Sequence, residues 1–134
     1  MKKDIMKVVA ISICTMLLCG TVAFASEISF TKKAVPKNKY VLVTYTDKST
    51  TSKTAAVLIT NLYKEDGSAS TYQKLKVQLG ADGMEAGAVT VTKGKTYDIT
   101  LKSAYQAKGK YIHLFAMGND PTLNCLASGY LNAH

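Results

Sequence analysis

The side chains with the widest chemical reach in this sequence are one histidine and one cysteine. His113 is the sole histidine ahead of the final residue, His134, and Cys125 stands far from Cys14 and Cys19 near the start. A thiol and an imidazole on adjacent strands can act as nucleophile and base. The pair would also need a group to orient the imidazole, for which Asp98 and Asp120 are candidates, and an oxyanion hole. No recognisable motif surrounds Cys125. On a strand His113 shares its face with Tyr111, Phe115 and Met117, where one hydrogen bond and partial burial are the ordinary state of a histidine. A Cys/His enzyme is therefore a third reading, behind two that need no catalysis, and no residue is assigned a catalytic role.

Metal chemistry is no better supplied. One interior histidine and one cysteine cannot build a zinc tetrad. Asp82, Glu85 and the carbonyls of residues 80–87 offer hard oxygen ligands of the kind calcium takes. Two carboxylates without a recognised loop spacing read more simply as an acidic turn. The remaining acids, Glu27, Asp47, Glu65, Asp66, Asp98 and Asp120, fall mostly in turns and do not suggest the facing pair that glycoside hydrolysis needs. Walker, Rossmann and nucleophile-elbow glycine patterns are missing from the sequence. The expectation is a protein without catalysis, metal or cofactor.

Lysine is the abundant chemistry. All 17 basic residues are lysine, and arginine and tryptophan do not occur. Lys32, Lys33, Lys37 and Lys39 form one cluster. Lys74 and Lys76 alternate with Leu75, Val77 and Leu79, and the same alternation sets Tyr72 on the lysine side. These seven residues are the candidate ligand contacts. Lysine is a hydrated point charge, whereas bidentate base and phosphate recognition favours arginine; nucleic acid is not an expected partner. Anionic cell-envelope polymers, anionic headgroups or an acidic face of another protein are. The simpler use of these lysines is to keep β-strand edges soluble and apart. Lys93-Gly94-Lys95 is echoed by Lys108-Gly109-Lys110, each ahead of a tyrosine. In a simple hairpin the two turns would lie at opposite ends and form no joint anion grip. Eight tyrosines are the aromatic resource for a sugar platform, although strands and interfaces are both rich in tyrosine.

The elements that must position these residues read as β-strands. Period-two alternation runs through 71–79, 89–92 and 97–102, with Leu75, Val77, Leu79, Val89, Val91, Ile99 and Leu101 expected to face inward. Stretches 40–46 and 55–63 are apolar on both faces, as in central strands. Segments 111–117 and 123–130 complete the set, with a short edge strand at 28–30. Asp47-Lys48-Ser49-Thr50 reads as a loop, Glu65-Asp66-Gly67-Ser68 as a hairpin turn, and residues 80–87 as the longest break. Seven or eight short strands with frequent turns predict an all-β fold, a small antiparallel β-sandwich, with a small barrel as the alternative.

The chain begins with the signature of an export signal. Lys2, Lys3 and Lys7 precede the apolar run Val8–Cys19, and Ala23-Phe24-Ala25 forms a small-x-small cleavage box. Removal of residues 1–25 would leave a single secreted domain, 26–134. Losing Lys2, Lys3, Lys7 and Asp4 would take the formal charge from +8 to +6. The apolar run is shorter than the roughly 20 residues of a membrane span, so no transmembrane segment is expected. Cys19 follows Leu18 and Cys14 follows Ile13, where lipidation would want a small residue. Cys125 would be alone in the mature domain, without an internal disulfide, and such low cysteine use suits a Gram-positive bacterium.

Lys93-Gly94-Lys95-Thr96-Tyr97, Ala104-Tyr105, Gly109-Lys110-Tyr111-Ile112-His113-Leu114 and Ala127-Ser128-Gly129-Tyr130 together resemble small secreted Gram-positive proteins of unknown function. The likeness covers about the last 40 residues, and those proteins are bacteriocin-like in size. Where their fuller pattern would end in tryptophan, this chain has Tyr130. The resemblance implies export and a β fold but brings no activity to any residue. The functional expectation is a secreted, non-catalytic binding protein at or near the cell envelope, with an anionic polymer as candidate partner. The alternative is an exported, bacteriocin-like antagonist.

Overall fold

The period-two segments become eight antiparallel strands in a computed structural model that describes residues 27–119 and 124–134. They are β1 (Glu27–Val35), β2 (Val41–Asp47), β3 (Thr54–Tyr63), β4 (Lys74–Leu79), β5 (Ala86–Thr92), β6 (Thr96–Thr100), β7 (Tyr111–Gly118) and β8 (Cys125–Asn132). Two four-stranded sheets form, ordered β1-β8-β3-β6 and β2-β7-β4-β5. Among the described residues no strand pairs across the two sheets, so the domain is the expected sandwich and not a closed barrel. The predicted export signal and Asp120 lie outside the described residues.

Alternation explains the core. Leu75, Val77 and Leu79 are fully buried from β4, and Ile112, Leu114 and Ala116 from β7 beside it. Across the sandwich they meet Ala55, Val57 and Ile59 of β3, together with Ala127 and Leu131 of β8. Each fully buried valine, leucine or isoleucine contributes roughly 1.5–3 kcal/mol of transfer free energy. Of the seven residues expected inward, six are buried; Val89, on the outermost strand of its sheet, is half-buried against the same core.

Gly129 lets β8 fit between its neighbours. It pairs with Phe30 of β1 on one side and Ile59 of β3 on the other. A Cβ at this position would collide with the Leu58 carbonyl and lie 3.0 Å from the Phe30 ring. The glycine of the Ser-Gly-aromatic ending is thus a packing requirement of the first sheet.

Several sequence expectations change. Residues 40–46, read as a central strand, form the edge strand β2, and its apolar outer residues Leu42 and Tyr45 are open to solvent. The short edge strand expected at 28–30 extends to Val35, with a bulge between Phe30 and Lys33 and positive φ at Lys32. Bulges and lysines on an edge discourage sheet-to-sheet pairing. The 65–68 turn does fold back, with Gly67 at φ 86° and a Tyr63–Ala69 bridge, but the chain then crosses to the other sheet instead of continuing a hairpin. The two glycine turns lie apart because β6 and β7 belong to different sheets. Gly94 N–H donates to Ile59 at the entry to β6, whereas Gly109 N–H donates to Lys48 near the end where β6 finishes.

Candidate functional site

The outer face of the second sheet carries a contiguous aromatic surface. Burial of Ile112, Leu114 and Ala116 turns the alternate residues of β7, Tyr111, His113, Phe115 and Met117, outward. β2 lies alongside in a register that sets Tyr45 opposite His113, Asp47 opposite Tyr111 and Leu42 opposite Phe115. Cross-strand partners share a face, and the rings meet accordingly. Tyr45 stacks on His113 with centroids 5.6 Å apart and planes at 26°, and meets Tyr111 edge-on at 6.0 Å. Tyr45 is 52% and Tyr111 57% exposed, with Leu42 at 50% beside them. On the other flank of β7, Lys76 faces Met117 and Gln78 faces Phe115.

A buried carboxylate anchors this face from below. β4 stops pairing with β7 at Leu79–Leu114, and the chain then bends through Gly80, whose N–H donates to the His113 carbonyl at 2.7 Å. Gly80 sits at φ 78°, where a Cβ would lie 2.8 Å from Glu85 Cγ, so only glycine leaves room for the returning side chain. Glu85, almost fully buried, then takes over the ladder. Its Oε1 accepts the His113 backbone N–H at 2.7 Å, and its Oε2 lies 2.7 Å from His113 Nδ1. A side chain thus completes hydrogen bonds that a strand would otherwise supply, and it fixes the imidazole.

The residues singled out from sequence separate. Cys125 opens β8 in the first sheet, paired with Val35, while His113 lies on the outer face of the second sheet. The proposed dyad therefore does not form. Burial pushes the Cys125 thiol above its ordinary range, which keeps it protonated and unreactive. Both carboxylate oxygens of buried Glu85 lie on His113, whereas Asp82 is exposed. No cluster of three or more metal-ligating side chains occurs among the described residues.

The lysine surface is divided as well. Lys32 Nζ lies 4.7 Å from the Tyr63 ring centroid and 3.4 Å from the Gly67 carbonyl. Lys33 lines the groove between β1 and β2 with Ile28, Leu42 and Tyr45. Lys37 and Lys39 are exposed in the turn between those strands, where the Lys37 N–H donates to Asn124. The four are exposed but point to different surfaces. Lys74 is exposed and Lys76 half-buried on the outer face of β4, as alternation requires. Tyr72 is not with them: it precedes β4, outside the alternation, and packs half-buried against the core. Gln78, which alternation sets on the same side of β4 as Lys74 and Lys76, is nevertheless buried, with the 81–83 turn nearby.

Two contributors escaped the sequence reading. Exposed Tyr45 was signalled by apolar residues on both faces of 40–46, a pattern shared by central strands and open faces. Lys48, in an apparent surface loop, is buried and donates to the main-chain oxygen of His134 at 2.8 Å. Desolvation lowers its pKa from the ordinary lysine value. No protein-family model, curated protein or solved structure matches this chain.

Proposed function

We propose that this protein is a non-catalytic binding protein of the bacterial cell envelope, which holds a glycan-containing envelope polymer on the outer face of its second sheet. The observation that carries the reading is the half-exposed ring cluster of Tyr45, Tyr111 and His113. Large exposed aromatics on an open sheet are costly unless they meet something. Tyrosine offers a flat apolar ring for the C–H face of a sugar and a hydroxyl for its polar rim. Asp47 and Lys76 on the same face can meet hydroxyl and anionic groups, and the exposed Lys74 extends the positive flank. The Lys32, Lys33, Lys37 and Lys39 group acts as a diffuse attraction that concentrates the protein at an anionic surface. Export rests on the ordered basic, apolar and small-residue segments of 1–25.

Sedimentation with isolated Gram-positive cell wall tests the reading. Tyr45→Ala with Tyr111→Ala should weaken binding by tenfold or more at moderate salt. Glutamine at Lys32, Lys33, Lys37 and Lys39 should weaken it several-fold, an effect that fades as salt shortens the screening length to about 3 Å near 1 M. Binding that ignores both tyrosines would overturn the assignment of the face. Mass analysis of culture supernatant should find a mature chain starting at Ser26; retention of Met1 in a cytosolic product would remove the envelope from the proposal.

A further inference from the structure

His113 brings to the aromatic face a ring whose outward hydrogen-bond polarity its own chemistry leaves open. A neutral imidazole carries its proton on either nitrogen, and that choice decides whether the outward nitrogen donates or accepts. Glu85 removes the choice. One of its oxygens is committed to the His113 backbone N–H, and the other lies 2.7 Å from Nδ1. An ionised carboxylate only accepts, so Nδ1 must carry the proton. In the neutral ring Nε2 is then a bare lone pair; the side chain is 38% exposed, and Nε2 has no hydrogen-bond partner among the described residues. Stacking on Tyr45 fixes the plane in which that lone pair lies.

We propose that Glu85 is a positioning residue that makes His113 an outward hydrogen-bond acceptor, selecting ligands that bring a hydroxyl donor to the Tyr45–Tyr111 face. The ligand half of the proposal rests on that face being the binding surface; the tautomer half stands without it. The local build supports a dedicated arrangement. Gly80 clears the space for Glu85, the Leu79 carbonyl accepts the Glu85 N–H at 3.0 Å, and the Glu85 carbonyl accepts the Lys102 N–H at 2.9 Å. The carboxylate is thus held from its own backbone as well as from His113.

Glu85→Gln makes a sharp test. Its single amide oxygen is claimed by the His113 backbone N–H, which turns the amide N–H toward Nδ1. Nδ1 must then accept, and the proton moves to Nε2. Imidazole ¹⁵N shifts, recorded at about pH 8, above the ~6.5 of a free imidazole, read the tautomer directly. The wild-type protein should show the Nδ1–H form and Glu85→Gln the Nε2–H form. An Nε2–H or doubly protonated wild-type ring, or an unchanged tautomer in the variant, would overturn the proposal. Should Glu85→Gln fail to fold, the wild-type spectrum still decides the tautomer. His113→Asn, which keeps an N–H toward Glu85 and deletes the outward nitrogen, then replaces it in the binding arm.

For the ligand half, the probe is peptidoglycan purified free of its anionic polymers. The variant should bind about tenfold more weakly than wild type, because an N–H would meet the ligand's donor. Equal binding with an inverted tautomer would overturn the selection of hydroxyl donors. Failure of the wild-type protein itself to bind would instead sink the binding-face reading and leave the tautomer result intact.

Discussion

Gly129→Ala puts the first sheet to a severe test. The added Cβ would strike the Leu58 carbonyl, with the Phe30 ring at 3.0 Å and Ile59 Cα at 3.1 Å. Two of these three obstacles belong to the backbone of β3, which is itself held between β8 and β6. Neither can swing aside as a side-chain tip would. Overpacking a well-filled site typically costs about 1–3 kcal/mol, and a backbone obstacle places this change at or beyond the upper end, roughly 3 kcal/mol. At about 4 °C or more per kcal/mol for a domain of this size, Tm should fall by more than about 10 °C. The control is Gly87→Ala on the exposed edge strand β5, where a Cβ would meet nothing within 4 Å. Reduced freedom of the unfolded chain should leave that variant neutral or stabilised by up to about 1 kcal/mol. Urea and thermal unfolding followed by circular dichroism measure both. Equal stability of the two variants would mean that β8 does not run between β1 and β3 in this register.

Two further outcomes follow from burial. Val77→Ala, at a fully buried site between Val89 and Ala116, should cost about 1–3 kcal/mol, while Lys76→Ala next to it should change stability by less than about 0.5 kcal/mol; equal costs in denaturant titration would contradict the inner and outer assignment of β4. Burial holds the Cys125 thiol above its ordinary value of 9.0, so above that pH the unfolded chain loses a proton that the folded one keeps. The unfolded state then binds fewer protons, and stability falls as pH rises. Cys125→Ala should lack that part of the alkaline decline, and parallel stability curves for the two proteins across this range would refute it.

Much of the fold was legible because period-two alternation reports directly on a half-buried strand. Leu75, Val77 and Leu79, and Ile99 with Leu101, needed no tertiary information. Partnership between sheets was not legible. Segments 97–102 and 111–117 follow one another closely, yet they enter different sheets, and nothing local distinguishes that from a hairpin. Residues 40–46 misled because apolarity on both faces marks a central strand and an edge with an open apolar face alike. Tyr72 misled because alternation was extended past the point where β4 begins at Lys74. Of the candidate site, His113 and its outward companions on β7 were visible, and so was Lys76. The partner of His113 was not, because Glu85 lies 28 residues away and reaches it only through the Gly80 bend. Lys48 shows the same limit: a loop lysine carries no local mark of the carbonyls that it meets from the far end of the chain.

The proposed ligand contact falls on the outer face of the β2–β7–β4 sheet. Amide and side-chain chemical shifts of the labelled protein, followed as solubilised cell-wall fragments are added, test it most directly. The largest changes should fall at Tyr45, Asp47, Tyr111, His113 and Lys76, with small ones at Lys32, Lys37 and Lys39. Changes confined to residues 32–39, with the aromatic face unmoved, would contradict it and return the binding role to the lysine cluster.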